Sequence, residues 1–89
     1  MTTNNPTPPT TAGTTRFCQG QDSPQPLFRI EPGIPCDHAR EQASELLECV
    51  RHLTLLGVME EDPRMVWAAY YLSAMAKALL DDAELGLAH

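Results

Sequence analysis

The sequence has 89 residues, which is enough for one small domain. Twelve acidic residues oppose six basic ones, so the formal charge is −6 at pH 7. This charge disfavours binding to nucleic acid or to an anionic membrane surface, and no apolar run is long enough to cross a bilayer. No signal peptide is recognisable, so we expect a cytoplasmic protein whose three cysteines stay reduced.

Residues 1–26 are rich in threonine, proline, asparagine and glutamine, with Phe17 and Cys18 as the main apolar side chains. Such a composition buries too little apolar surface to offset the entropy that the chain would lose on ordering. We therefore expect a disordered tail over residues 1–26. A tail that docks onto a partner through Phe17 is the alternative.

Residues 27–31 alternate in character, with Phe28 and Ile30 on one face, which predicts a short strand. The dipeptide Pro32-Gly33 ends it. We find no second strand pattern in the sequence, so this strand must pair with a second copy or a partner, or lie along the helices.

A first amphipathic helix is predicted from about Pro35 to about Leu56. Proline suits the first helical turn, and Gly57 is a natural residue to follow the last one. The apolar residues that recur at helical spacing are Ala39, Ala43, Leu46, Leu47, Val50 and Leu53.

After a short link over residues 57–62, a second helix is predicted from Pro63 to about Leu80, with Asp62 as its N-cap. A short link favours antiparallel neighbours. One apolar stripe on this helix consists of Met65, Ala68, Ala69, Leu72, Met75, Ala76 and Leu79. A second stripe consists of Trp67, Tyr71, Ala74 and Ala78.

A helix that is apolar around most of its circumference needs more than one neighbour. We therefore predict a mainly α domain over residues 27–84, in which an antiparallel helical hairpin with one short strand dimerises into a four-helix bundle. Residues 85–89 would form a C-terminal tail. The residues that we expect at the dimer or partner interface are Phe28, Ile30, Trp67, Tyr71, Leu72 and Met75.

Thiol or metal chemistry has two candidate positions. Glu48, Cys49 and His52 are spaced to reach one metal ion from a helix, and Cys36 lies at a helix start, where a thiol can be activated. The spacing of the first set arises readily by chance, and Cys36 has acidic neighbours that oppose a thiolate. We therefore expect no metal and no cofactor, and keep a thiol- or metal-responsive sensor using Cys36, Cys49 and His52 as the alternative.

One edge of the first helix is acidic, through Asp37, Glu41, Glu45 and Glu48. A solvated face that keeps a small dimer soluble is the simpler interpretation, and a strip that meets a basic partner is the alternative. The second helix has no basic face, which argues against a helix-turn-helix DNA-binding domain. A phosphate-binding loop and a nucleophile–base pair are also lacking, so we expect no enzymatic activity.

Two stretches carry a family resemblance: LFRIEPGIPCDHAREQASELLECVRHLT at residues 27–54 and WAAYYLSAMAKALLDD at residues 67–82. They resemble domain-of-unknown-function family 3077, a family of small pseudomonad proteins, over the predicted folded region. The layout is similar to that of small quorum-sensing antiactivators, which bind a LuxR-type transcription regulator and block its dimerisation. The resemblance therefore implies that the chain binds a regulatory protein and inhibits or tunes it. Together with the dimer predicted above, this favours a non-enzymatic homodimeric interaction module.

Overall fold

The computed structural model of the protein describes residues 8–19 and 25–88. Along the chain, strand β1 (Arg16–Gln19) and strand β2 (Pro26–Arg29) precede helix α1 (Cys36–Met59) and helix α2 (Pro63–Leu87). The two helices form an antiparallel pair, which confirms the helical hairpin. Within the described part of the chain, neither helix combines the length and the apolar character that crossing a membrane would need.

The start of each helix follows from its local sequence. Helix α1 begins directly after Pro35, as expected. Before α2, the Asp62 carboxylate accepts a hydrogen bond of 3.0 Å from the backbone N–H of Arg64, and Pro63 occupies the first turn. This cap is the predicted one, because an acceptor at the N-cap satisfies a backbone donor that the helix itself leaves unpaired.

The ends of both helices lie further along the chain than predicted. Gly57 does not end α1 but lies inside it, where a Cβ would come within 2.8 Å of the Val66 side chain. The absence of a side chain at Gly57 therefore allows α2 to pass close to α1. The residue with left-handed backbone geometry in the turn is instead Glu61, with φ of 50°. Helix α2 continues to Leu87, so the expected tail over residues 85–89 is wrong for residues 85–87, and His89 lies outside the described residues.

Small side chains fill the contact between the two helices. Ala39 and Ala43 of α1 are fully buried. On α2 the buried alanines Ala69, Ala76 and Ala83 recur every seven residues, which keeps them on one side of the helix. Alanine lets two helix backbones approach closely, but each buried alanine removes little apolar surface from water.

The expected disordered tail is wrong for residues 8–19. Strand β1 pairs antiparallel with β2, so that Phe17 lies opposite Phe28 and Arg16 opposite Arg29. The strand predicted over residues 27–31 is therefore confirmed for residues 27–29, and its partner lies earlier in the same chain rather than in a second copy. Residues 1–7 and 20–24, which also fall in the expected tail, lie outside the described residues.

Backbone hydrogen bonds also fix the segment before β1, residues 8–15, which we call the N-terminal segment. The N–H of Cys36, at the start of α1, donates to the carbonyl oxygen of Pro9 at 2.9 Å. The N–H of Thr11 donates to the carbonyl oxygen of Ile34 at 2.7 Å. The folded unit therefore starts well before residue 27, because this segment supplies partners that the loop before α1 needs.

The molecule is one layer thick. Its principal extents are 62 × 30 × 15 Å, and its radius of gyration is 16.1 Å. A well-packed domain of this length would have a radius of gyration of about 12 Å. A stable domain normally packs at least two layers of secondary structure around its core. The chain is therefore more extended than a well-packed domain of its length.

Candidate interaction surface

Three aromatic side chains form a cluster on the first turns of α2. The ring centroids of Trp67 and Tyr70 are 5.8 Å apart, those of Trp67 and Tyr71 are 6.2 Å apart, and those of Tyr70 and Tyr71 are 5.7 Å apart. These are the separations at which aromatic rings attract one another. The spacing of three and four residues places the rings together, because such residues are neighbours on a helix surface.

The cluster continues onto the β-hairpin. Phe28 stacks on Phe17 across the two strands, with ring centroids 5.5 Å apart. A hollow of about 200 Å³ lies between the strands and α2, and its apolar lining includes Phe28, Tyr71 and Met75. We call the set Phe28, Trp67, Tyr70, Tyr71 and Met75 the aromatic surface. Its four aromatic side chains are between 53 and 62% exposed.

The structure brings together four of the six residues that the sequence predicted at an interface. Phe28, Trp67, Tyr71 and Met75 all belong to the aromatic surface. Leu72 is half-buried, and its spacing to Ala69 and Ala76 places it on the side of α2 that faces α1. Ile30 is only 6% exposed within the single chain, so it lies outside the aromatic surface.

Tyr70 is the member of the surface that the sequence reasoning missed. It falls outside both predicted apolar stripes of the second helix, although it follows Trp67 by three residues. That spacing was the available signal, since residues three apart share a helix face. Its backbone carbonyl oxygen accepts a hydrogen bond from the Ser73 hydroxyl at 2.7 Å, while the ring remains exposed.

The interior of the single chain contrasts with this surface. Among the described residues, the buried apolar ones other than Ile30 and Cys36 are all alanines. The largest fully buried side chains are those of Asp82 and Cys36. Large apolar side chains are normally the ones that a soluble domain buries. Here they lie mostly at the surface, so the described chain leaves its strongest apolar groups uncovered.

Asp82 ties the N-terminal segment to α2. One carboxylate oxygen accepts the N–H of Gly13 at 2.6 Å, and the other accepts the N–H groups of Thr14 at 3.0 Å and Thr15 at 2.8 Å. Burial is the largest influence on this group and opposes ionisation, but the hydrogen bonds from Gly13, Thr15 and Thr14 together hold the pKa of Asp82 below its usual value. The carboxylate therefore stays charged at neutral pH and stabilises the segment.

Thr11 makes a second attachment of the same segment. Its buried hydroxyl donates to the carbonyl oxygen of Glu31 at 2.6 Å and accepts the N–H of Ile34 at 3.0 Å. Gly86 of α2 allows the segment to lie flat, because a Cβ there would collide with the carbonyl group of Thr10. Every buried side-chain nitrogen or oxygen among the described residues has a hydrogen-bond partner. This end of the molecule is therefore closed by its own chain.

The cysteines do not come together. The Cys36 thiol is buried and donates to the carbonyl oxygen of Ala83 at 3.4 Å, whereas Cys49 is exposed. Thirteen residues separate them on one helix, which corresponds to about 20 Å. No group of three potential metal ligands occurs among the described residues, Glu48, Cys49 and His52 included. The sensor alternative that used Cys36, Cys49 and His52 therefore has no shared site.

The acidic edge of α1 lies in solvent. Asp37, Glu41, Glu45 and Glu48 are all exposed. Glu48 lies 3.7 Å from the guanidinium of Arg51, and both side chains are largely exposed. Such surface ion pairs contribute little to stability. The edge therefore keeps a negative field that is available to a partner.

Comparison with protein-family models assigns the chain to a family. The family model described as Protein of unknown function (DUF3077) matches residues 11–86. The chain belongs to this family. The match starts sixteen residues before the stretch that carried the resemblance, so the family unit includes residues 11–15 of the N-terminal segment, among them those that Asp82 holds. No curated protein and no solved structure matches the chain.

Proposed function

We propose that this family member is a non-enzymatic protein-interaction module that works as a homodimer in the cytoplasm. The observation that carries the proposal is the aromatic surface on a chain that is one layer thick and has alanines in its helix contact. An exposed apolar patch of this kind marks a surface that another polypeptide covers. A second copy supplies the missing second layer.

The size of the surface supports self-association. Fully exposed aromatic side chains present about 200 Å² each, so the four rings leave about 450 Å² open to solvent. A standard interface buries about 800 Å² on each partner. The exposed area of the rings is thus more than half of the area that such an interface buries on one partner. Aromatic side chains are typical of the centre of an interface rather than of its polar rim. In a two-fold dimer, each copy would offer the same surface to the other.

A regulatory role is the finer part of the proposal. The layout of the chain is similar to that of small quorum-sensing antiactivators, and we propose that it likewise binds a LuxR-type transcription regulator and opposes its dimerisation. Exposed aromatic anchors and a negative surface support such a role, because anchors of this type dominate protein–protein binding and charge selects the partner.

The experiment compares wild type with Trp67→Ala, Tyr71→Ala and the double variant by sedimentation velocity over a range of concentrations. Val58→Ala is the matched control, since Val58 is also exposed but lies on α1. We expect the double variant to weaken dimerisation at least about 100-fold, because truncated hot-spot residues each cost about 2 kcal/mol. The control should leave dimerisation unchanged.

Thermal unfolding tests the same proposal without a variant. Because dimerisation stabilises the folded state by mass action, the midpoint of wild type should rise with protein concentration. A folded wild-type monomer whose midpoint is independent of concentration would overturn the homodimer. For the regulatory role, a purified LuxR-type regulator is titrated with the protein, and its dimer fraction is followed. An unchanged dimer fraction would contradict that role while leaving the homodimer intact.

A further inference from the structure

A second apolar surface lies on the C-terminal half of α1. An open groove of about 580 Å³ is lined by Glu48, Arg51, His52, Thr54, Leu55 and Val58. Leu55 and Val58, together with Met59 beside them, are between 58 and 70% exposed. We call this the α1 groove. It shares no residue with the aromatic surface, so dimerisation through the aromatic rings leaves it without an assigned occupant.

Negative charge surrounds the apolar part of the groove. Glu41 and Glu45 precede Glu48 on the same helix, and Glu60 and Glu61 follow α1 directly. The C-terminal turn of α1 contains no basic residue. Because a helix C-terminus carries partial negative charge, these last two acids add to an unfavourable field rather than compensating it. A cationic group placed here would be attracted from both sides.

Few basic side chains of the chain itself form ion pairs with these acids. Arg51 is the cation on the groove lining, and its guanidinium lies 3.7 Å from Glu48. The other ion pairs among the described residues join Arg64 to Asp62 and Lys77 to Asp81. Glu41, Glu45, Glu60 and Glu61 have no ion pair within the described part of the chain. Their charge is therefore free to attract a partner.

We propose that the α1 groove binds a cationic amphipathic helix of a partner protein. Leu55, Val58 and Met59 follow helical spacing, so they match the anchors that an amphipathic helix presents at every third or fourth position. The acids on both sides pair with lysine or arginine at the margins of that helix. From Glu41 to Glu60 the surface extends over about 28 Å, which fits a helix of about five turns.

This inference gives the partner class and the binding surface of the proposed regulatory module, and it is independent of how the chain dimerises. Charge disfavours the two alternative occupants of the groove, which are a second copy of the chain and an acidic helix. A second copy would bring another strongly acidic α1, which like-charge repulsion disfavours. An acidic helix is repelled for the same reason.

The test uses a labelled synthetic peptide of leucine and lysine, arranged as an amphipathic helix, and a second peptide in which glutamate replaces lysine. Binding to the full chain is measured by fluorescence anisotropy at low and at physiological salt. We expect the lysine peptide to bind and the glutamate peptide to fail. Val58→Ala combined with Leu55→Ala should weaken binding about tenfold or more, because the apolar anchors are lost.

Charge variants separate a specific surface from net charge. Glu45→Gln with Glu48→Gln should weaken binding several-fold at low salt and less at high salt, because exposed charges are screened. Asp81→Asn with Glu84→Gln, which removes the same two charges from exposed positions of α2, is the matched control and should leave binding unchanged. Equal losses in both would show that only net charge matters and would overturn the proposal, as would an absence of binding to wild type.

The aromatic variant makes the two proposals distinguishable. Trp67→Ala with Tyr71→Ala should retain lysine-peptide binding even where it dissociates the dimer. Loss of peptide binding in this variant, with its helix content unchanged by circular dichroism, would move the binding site to the aromatic surface and contradict the α1 groove. Conversely, a failed peptide experiment leaves the dimer measurements of the previous section unaffected.

Discussion

The two ends of the helical hairpin bury their side chains very differently. At the closed end, where Cys36 lies near Ala83, the N-terminal segment covers the helices, and among the described residues each buried side-chain nitrogen or oxygen has a hydrogen-bond partner. At the tip end, around the turn between α1 and α2, Val58, Met59 and Val66 are exposed, and the aromatic surface starts at Trp67.

This difference follows from what the chain can supply. The closed end receives backbone donors and acceptors from residues 9–15, so small residues and one buried carboxylate suffice there. No described segment lies over the tip end, where the side chains are large and apolar. Exposed groups of that size lose favourable free energy until another polypeptide covers them. One end is therefore covered by the chain itself, whereas the other end presents large apolar side chains to solvent.

Of the changes considered, removal of the Asp82 carboxylate should destabilise the closed end most. In Asp82→Ala the N–H groups of Gly13, Thr14 and Thr15 lose their acceptor, which should lower the free energy of unfolding by about 3 kcal/mol. Urea unfolding at fixed protein concentration measures this. The control is Asp81→Ala, whose exposed ion pair with Lys77 should contribute at most about 0.5 kcal/mol. Equal losses in the two variants would refute the attachment.

Enlarging a small residue of the helix contact should have the next largest effect. Ala76→Leu places a long side chain where Ala76 is fully buried, and should cost about 2 kcal/mol through overpacking. Ala68→Leu, at an exposed position of the same helix, is the matched control and should be close to neutral. If Ala76→Leu proved as stable as the control, the close approach of the two helices would be wrong.

Low pH should lower the free energy of unfolding by protonating the Asp82 carboxylate. This effect should be smaller than that of replacing Asp82 by alanine. The folded state lowers the pKa of Asp82 below the model-compound value of 3.8, so its contribution is complete above that value. It is lost as the pH falls through the lower folded-state pKa. The difference in unfolding free energy between wild type and Asp82→Asn should therefore be constant from about pH 5 to pH 8 and shrink below about pH 4. A difference that grows in acid would contradict this assignment.

Local signals made the helical hairpin predictable. Pro35, Asp62 and Pro63 act on the first turns of the helices that they begin, so their effect can be read from neighbouring residues. The apolar spacing of α2 likewise gave most of the aromatic surface. Tyr70 was missed because the residues were sorted into two narrow stripes, while the exposed surface is wider than either.

The features that the sequence did not predict depend on contacts between residues that are far apart along the chain. The segment over residues 8–19 looks unstructured by composition, yet Gly13 hydrogen-bonds to Asp82, which is 69 residues away. Asp82 itself resembles an ordinary solvated acid at the end of a helix. The role of Gly57 was wrong and that of Gly86 was not predicted for the same reason, because their missing side chains matter only when another element passes close by. Such contacts depend on the assembled fold and leave no local pattern.

The most direct test of the central claim, that a second polypeptide covers the aromatic surface, uses Trp67, the only tryptophan in the sequence. Acrylamide quenching of its fluorescence is measured over a range of protein concentrations, with the molar mass determined on the same samples. We predict weak quenching where the mass is twice 9.8 kDa, and strong quenching as dilution restores the single chain. Equally strong quenching of Trp67 at every concentration, in a folded protein, would contradict the account.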